Sequence, residues 1–220
     1  QKEGSAVEIL DFIMTNLNLL GKLTLEHISL VVVAVGLATL TGVPIGIAIT
    51  QNERIATVVL YVASVLITIP SIALFGIMIP ILSTIGHGIG YLPAVIAVLL
   101  YSQLPIIRNT YTAINNVSPG LREAARGIGM TSAQRLRKVE IPLSVPVIMA
   151  GVRTAVVMNI GVMAIAAYIG AGGLGVLISR GISQSDPRQL VVGAIAVSLL
   201  AIVADRSLLS LQRKLTPRGL

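Results

Sequence analysis

Long apolar stretches separated by short polar segments dominate the chain. A transmembrane helix needs roughly 20 mostly apolar residues, and five stretches reach that length: 28–50, 55–82, 91–111, 144–169 and 190–209. The second contains Pro70 and Pro80, which predict kinks because proline interrupts the helical hydrogen-bond ladder. The pattern therefore predicts an all-α membrane protein with about five transmembrane helices.

The segment before the first stretch has a different pattern. Across residues 6–26, apolar residues recur at helical spacing with charged residues and Asn between them: Ile9, Leu10, Ile13, Leu17 and Leu20. Such a pattern predicts an amphipathic helix at the membrane interface, with a partly ordered tail as the alternative. We accordingly divide the chain into an N-terminal segment (1–23), a transmembrane domain (24–213) and a cytoplasmic tail (214–220).

Composition supports a membrane location. Hydrophobic residues make up 55% of the 220 residues and charged residues only 11%, against about 25% charged in soluble domains. The chain has no Cys, which excludes disulfides and thiol chemistry. It also has no Trp, five Tyr and two Phe, so an aromatic cage around a cation is not expected within it.

The distribution of basic residues predicts the orientation. Five spans place 12 of the 16 Lys and Arg residues on one side: Arg54, Arg108, Arg122, Arg126, Arg135, Arg137, Lys138, Arg153, Arg206, Arg213, Lys214 and Arg218. The positive-inside rule makes that side cytoplasmic, which puts the N-terminus outside and the C-terminus inside. Topology thus accounts for the net charge of +7, and we expect no nucleic-acid partner.

The central polar connection, residues 115–142, carries helix signals of its own. Ser118 and Pro119 fit an N-cap followed by proline at the first helical position. Gly129 can adopt the left-handed conformation that ends a helix. Between these two points runs one apolar stripe, formed by Leu121, Ala124, Ala125 and Ile128.

A second short helix is predicted directly after Gly129. Thr131 and Gln134 fit a capping box, and Pro142 is expected to end the helix. A connection between two spans needs only a few residues, so two helices hinged at Gly129 indicate a surface for docking a partner. The alternative is a loop folded onto its own helix bundle.

The same connection resembles the EAA loop of ABC importer permeases. Glu123-Ala124-Ala125, Gly129 and Pro142 stand at the motif positions, whereas Val139 and Ile141 replace the usual Ile and Leu. The stretches TIPSIALFGIMIPIL, PIIRNTYTAI, AARGIGMT, AAYIGAGGLG and RKLTPRG are similar to the osmoprotectant branch, which imports glycine betaine, carnitine, choline and relatives. Methionine importer permeases, which share the size and the loop, are the nearest alternative.

The resemblance implies the type I permease fold and a transport role without enzymatic activity in this chain. It implies partners as well: ABC ATPase subunits that carry ATP and Mg²⁺, a second identical or paralogous permease, an extracytoplasmic binding protein and the lipid bilayer of a bacterial inner membrane. No cofactor is expected in this chain. The residues implied in coupling to the ATPase are Glu123, Ala124, Ala125, Gly127, Gly129, Val139, Ile141 and Pro142.

Polar residues within spans are candidates for lining a translocation path, because burying them in lipid is costly. The candidates are Thr68, Ser71, Ser102, Gln103, Asn109 and Asn159, together with Met158 as a soft apolar wall. Hydrogen bonding between helices is the alternative role for the polar ones, and core packing is the alternative for Met158. Arg153 is expected to snorkel to the inner surface, and Asp205, beside Arg206 near that surface, is expected to pair with a basic neighbour.

Other site classes find little support. The glycines at 170, 172 and 175 match G-x-G-x-x-G but lack an acid at the distance a dinucleotide site requires, so they predict a tight outer turn. The chain also lacks the G-x-x-x-x-G-K-[ST] phosphate loop, and its two His residues have no companions suited to a metal or catalytic site. A secondary carrier would need an ionisable residue at mid-membrane for ion coupling, and we expect none.

Overall fold

The computed structural model describes residues 2–216, with side chains from residue 7 onwards. The predicted tail, 214–220, therefore lies mostly outside the described residues. The described part folds into α1 (Lys2–Thr15), α2 (Leu17–Ala48), α3 (Glu53–Thr68), α4 (Ser71–Ser83), α5 (Tyr91–Asn115), α6 (Pro119–Gly127), α7 (Ser132–Arg135), α8 (Ile141–Ile165), α9 (Gly175–Ser183) and α10 (Pro187–Leu215).

All five predicted stretches are helical. Within residues 2–216, four continuous helices are long and apolar enough to cross a bilayer: Leu17–Gln51, Tyr91–Asn115, Ser132–Ile169 and Pro187–Leu215. The stretch 55–82 is instead a broken pair, α3 and α4, bent by 99°. Ile69 and Pro70 are extended at the break, as the proline predicted, while Pro80 stays inside α4. The pair makes a fifth span if its two halves are counted together.

The first long helix begins earlier than predicted. α2 starts at Leu17, directly after a break at Asn16, so a boundary after residue 23 falls inside a continuous helix. Packing explains the extension: Leu23 is buried with Leu174, Leu177 and Val192 of the last third of the chain. Apolar residues on both sides of the break pack against the same cluster, namely Ile9, Phe12, Ile13, Leu19 and Leu20.

The core lies where α2, α5 and α8 meet. Leu30, Ala34 and Ala38 of α2 are buried against small and branched residues of α5 such as Ala97 and Val98. Further along α2, a Cβ added to Gly46 would lie 2.6 Å from Thr110 Cβ. The small-residue face of α2 therefore lets the two helix backbones approach closely.

The second helix of the central connection does not end at Pro142. A π-helical turn, Leu136–Glu140, joins α7 to α8, and the Ile141 N–H donates to the Leu136 carbonyl. Proline lacks an N–H and its ring clashes with the carbonyl four residues earlier. The wider π turn absorbs this defect, so Pro142 sits in the first turn of α8 and the helix runs on to Ile169.

At the opposite end of α8, the predicted glycine turn is present and leads into an unpredicted helix, α9. Gly170, Gly172 and Gly173 have positive φ values of 77°, 85° and 74°. The Gly173 N–H donates to the Glu26 carboxylate at 3.2 Å, which fastens the turn to α2.

Asp186 caps α10 by accepting from the Arg188 backbone N–H. Side-chain hydrogen bonds from Arg188 and then Gln189 lower the pKa of the Asp186 carboxyl to about 2.

Candidate functional site

The exposed face of α6 is the most accessible apolar surface of the central connection. Leu121 is 47% exposed and Ile128 is 75% exposed, whereas Ala125 is 4% exposed and faces the bundle. Glu123 and Ala124 are exposed between them. The predicted apolar stripe is thus divided: Ala125 holds α6 against the protein, and the larger side chains remain open.

The turn after α6 has a defined geometry. Gly129 has φ = +80°, the Gly129 N–H donates to Arg126 O, and the Met130 N–H donates to Ala125 O. This pair of bonds is a Schellman motif, which leaves few last-turn carbonyls unpaired. Thr131 and Gln134 then complete the predicted capping box, at 3.2 and 2.9 Å. The predicted hinge is therefore a fixed corner between two capped helices.

A buried ion cluster fastens α6 to the base of α8. The Glu140 carboxylate lies 2.9 Å from Arg135 Nε and 3.3 Å from Arg122 Nε. Its side chain is 6% exposed, against 17% for Arg135 and 28% for Arg122. The Arg122 guanidinium also donates to the Ile114 carbonyl near the end of α5. Glu140 therefore links α6, which precedes the Gly129 corner, to α7 and the start of α8, which follow it.

Sequence reasoning missed this cluster. Glu140 stands between two positions of the predicted motif, Val139 and Ile141, and is not itself a motif position. The available signal was a single acid close behind a run of basic residues, Arg135, Arg137 and Lys138. The cluster borders a cavity of about 450 Å³ that Thr50, Gln51, Asn115 and Ser132 also line.

The structure places the eight predicted coupling residues in three settings. Glu123, Ala124, Gly127 and Gly129 are exposed around α6, Ala125 is buried beneath it, and Val139, Ile141 and Pro142 are half-buried at the base of α8. The exposed group is available to a partner, whereas the other residues hold the exposed group in place.

The predicted path residues fall into two groups, and the first makes hydrogen bonds within the helix bundle. Asn159 Nδ2 donates to Ser102 Oγ at 2.8 Å, with both residues fully buried between α8 and α5. Gln103 Nε2 donates to Thr41 Oγ1 at 3.0 Å, and Asn109 Nδ2 donates to Pro105 O at 2.7 Å.

The second group lines an open cavity. Thr68, Ser71 and Met158 border about 290 Å³ beside the break between α3 and α4. Tyr101 lines the same cavity, and its hydroxyl donates to the Ile69 carbonyl at the break. The carbonyl freed by the Pro70 bend is thereby satisfied inside the protein.

A second cavity of about 290 Å³ shares Met158 and contains an ion pair. Arg153 Nε lies 2.7 Å from Asp205 Oδ1, so α8 and α10 are joined by opposite charges. The Gln212 amide accepts from Arg153 Nη1 at 3.3 Å and donates to Pro146 O at 2.9 Å. Asp205 therefore pairs with a basic residue, as predicted, and that residue is Arg153.

A family model described as "Binding-protein-dependent transport system inner membrane component" matches residues 42–218. The chain belongs to this family. The match includes the whole central connection and the three cavities described above.

Proteins of high similarity include two transport permeases. The osmoprotectant import permease protein OsmW of Salmonella typhimurium is 60% identical over 97% of this chain and 100% of its own length. The choline transport system permease protein OpuBB of Bacillus subtilis is 42% identical, over 96% of this chain and 95% of its own.

Solved structures share the fold. A chain of the inward-facing MetNI methionine ABC transporter superposes with a TM-score of 0.83 at 23% identity, covering 91% of this chain and 98% of its own. A chain of an amino acid ABC transporter gives a TM-score of 0.75 at 22% identity, with coverages of 92% and 96%. The all-helical ABC importer permease fold is therefore confirmed.

Proposed function

We propose that this chain is the permease subunit of an ATP-driven importer for osmoprotectants, and that α6 is its contact with the ATPase. The observation that carries the proposal is the open apolar face of α6: Leu121 and Ile128 are exposed beside the small Ala124. Exposed apolar residues of this kind are typical of a protein contact rather than of a folded loop surface.

The occupant of this face is an ABC ATPase subunit. The motif residues Glu123, Ala124 and Gly129 stand on or beside the exposed face, and the family comprises components of binding-protein-dependent transport. Ala124 permits close approach of a partner backbone, while Arg126 is an exposed charge available to acidic groups. ATP and Mg²⁺ belong to that partner, which supplies the hydrolysis.

Coupling follows from the rigid connection between the docking face and the membrane. Closure of the ATPase pair would displace α6, and the Gly129 corner and Glu140 cluster would carry that displacement into α8. The spans would then reorient to receive a substrate from an extracytoplasmic binding protein. The excess of basic residues on one side supports a cytoplasmic location for α6 in a bacterial cell.

The substrate assignment rests on sequence similarity to two permeases, one named for osmoprotectants and one for choline. The similarity covers nearly the whole length of both. The osmoprotectant permease OsmW is 60% identical to this chain, whereas the methionine transporter shares its fold at only 23% identity. A quaternary ammonium solute, glycine betaine, carnitine or choline, is therefore favoured over methionine or another amino acid. A second permease subunit, identical or paralogous, completes the pore.

Docking is tested by Ile128→Asp in the chain purified from its native host. The variant should lose the co-purifying P-loop ATPase, because a carboxylate would enter an apolar contact. Ile89→Asp is the matched control, since Ile89 is 70% exposed in the connection between α4 and α5. Retention of the ATPase by Ile128→Asp would refute docking through α6.

Substrate class is tested by uptake into cells that depend on this transporter. Labelled glycine betaine should accumulate in an ATP-dependent manner, and labelled methionine should not. Accumulation of methionine alone would move the chain to the amino-acid importers. Accumulation that follows an ion gradient without ATP would indicate a secondary carrier.

A further inference from the structure

One face of α8 is open along the membrane-spanning part of the helix. Thr154 and Gly161 are exposed there, and a Cβ added to Gly161 would meet no atom within 4 Å among the described residues. Asn159, on the opposite face, is fully buried. The open face therefore borders the two cavities that share Met158, one holding the Arg153–Asp205 pair and the other bordered by Thr68 and Ser71.

The ion pair lies within the span rather than at its outer end. Arg153 precedes Ile169, the end of the continuous helix, by about 24 Å at 1.5 Å per residue, which places it in the inner part of a hydrocarbon core about 30 Å thick. The side chains of Arg153 and Asp205 are 30% and 34% exposed. Charges at this depth are costly if they face lipid. We therefore expect the cavity beside them to face water or another part of the protein rather than lipid.

We propose that Arg153 and Asp205 form a transient binding site for a zwitterionic solute, and that the site opens by exchanging their mutual ion pair for two ion pairs with the solute. The solute carboxylate pairs with the Arg153 guanidinium, and its quaternary ammonium group pairs with the Asp205 carboxylate. This inference rests on the proposed function, whose substrate class it makes more specific.

Charge balance favours this exchange. With the site empty, the two side chains neutralise each other at 2.7 Å. With a zwitterion bound, each charge again has a partner, so neither state leaves an unpaired charge in the membrane. Gln212 accepts a hydrogen bond from Arg153 in the closed state and can keep the guanidinium oriented while the pair is open. Met158 and Val157 supply the apolar wall that the N-methyl groups require.

The same reasoning predicts discrimination. A cation without a carboxylate, such as choline, would pair with Asp205 and leave Arg153 without a partner. We therefore expect the site to bind glycine betaine and carnitine at least about tenfold more tightly than choline, as the loss of one charge-assisted hydrogen bond typically produces. In this way the chain would select among quaternary ammonium solutes without an aromatic cage.

Saturation-transfer difference NMR on the N-methyl protons suits a weak site of this kind. The probe is glycine betaine or choline, added without binding protein to the permease–ATPase complex in lipid nanodiscs. Wild type should show a betaine signal that carnitine displaces at lower concentration than choline does. Absence of that signal, or equal displacement by carnitine and choline, would overturn the proposal without relying on any variant.

Two variants separate binding from a purely structural latch. Asp205→Asn should keep the preference for betaine over choline, because the betaine carboxylate still pairs with Arg153 whereas choline has lost its only counter-ion. Arg153→Gln should tighten choline binding by about tenfold and remove the preference for betaine, because choline no longer has to displace Arg153 from Asp205; a structural role would not produce this change in selectivity. Arg188→Gln, which removes the partner of Asp186 in the 3.1 Å pair at the other end of α10, is the matched control and should bind like wild type.

The proposed function and this inference fail in different ways. Lack of ATP-dependent betaine uptake by the wild-type transporter would refute the substrate assignment itself. Normal uptake combined with unchanged selectivity in a stable Arg153→Gln complex would refute only the zwitterion site and leave Arg153–Asp205 as a structural pair.

Discussion

Replacing Glu140 by Gln tests whether the ion cluster transmits movement from α6 to α8. The substitution keeps the size of the side chain and removes its charge. Arg135 Nε at 2.9 Å and Arg122 Nε at 3.3 Å then lose their carboxylate partner. Because Arg122 belongs to α6 and Glu140 leads into α8, the connection across the Gly129 corner is weakened.

The size of the effect follows from burial. Breaking a buried pair costs roughly 3–5 kcal/mol, and breaking an exposed pair costs about 0–1 kcal/mol. Glu140 is 6% exposed, but its partners are 17% and 28% exposed, so a value of about 2 kcal/mol lies between these limits. At 1.4 kcal/mol per factor of ten, that is roughly a 30-fold shift between held and released positions of α6.

The assay is the ratio of substrate imported to ATP hydrolysed in proteoliposomes. We expect Glu140→Gln to keep its ATPase partner and its hydrolysis, while import per ATP falls by as much as about 30-fold. Glu140→Asp should restore part of the ratio. Arg137→Gln, which changes an exposed charge in the same turn, should behave like wild type.

Two results would contradict the reasoning. An unchanged ratio of import to hydrolysis would show that α6 and α8 move together without the cluster. Loss of the ATPase from the purified complex would place Glu140 in assembly instead of transmission.

Three further predictions concern the helices themselves. Gly129→Val should reduce import because a β-branched residue at φ = +80° costs at least about 1–2 kcal/mol, whereas Gly120→Ala within α6 should be tolerated; equal import by the two would exclude strain at the corner. Gly46→Val should lower the melting temperature of the complex through overpacking worth about 1–3 kcal/mol, because the Thr110 side chain and Ile107 O lie within 3.0 Å of an added Cβ. Gly36→Val is the control, since a Cβ there meets open space. Equal melting temperatures for the two variants would refute close packing at Gly46. The pKa of Asp186 is lowered to about 2 from a usual 3.8, so the stabilisation that its carboxylate provides is complete above pH 3.8 and is lost as the pH falls towards 2. Asp186→Asn should flatten that part of the pH–stability curve measured by thermal unfolding. An unchanged curve would refute a stabilising role for the Asp186 carboxylate.

Features that depend on neighbouring residues could be predicted from the sequence. Apolar stretches long enough to span a bilayer all became helices, because backbone hydrogen bonds cannot be left unpaired in lipid. The capping box at Thr131 and the glycine conformation at Gly129 were also predictable, since each involves residues within one turn. The motif around Glu123 then indicated the family that the comparison confirmed.

Helix boundaries that depend on a neighbouring turn or on distant residues were harder to predict. Pro142 was expected to end a helix, but the π turn absorbed its missing N–H and the helix continued. The start of α2 at Leu17 depended on a cluster built from residues near 174–192. In the second case packing outweighed the local signal, because burying apolar side chains stabilises the longer helix.

Only the tertiary structure decided which polar groups are buried partners and which are open. Ser102 and Asn159, 57 residues apart, hydrogen-bond to each other, while Thr68 and Met158 face a cavity. The pairing of Arg153 with Asp205 and of Glu140 with Arg122 depends on how each helix is rotated and offset against its neighbour. Hydropathy along the chain predicts that a helix crosses the membrane, but rotation and offset are fixed by side-chain packing between helices.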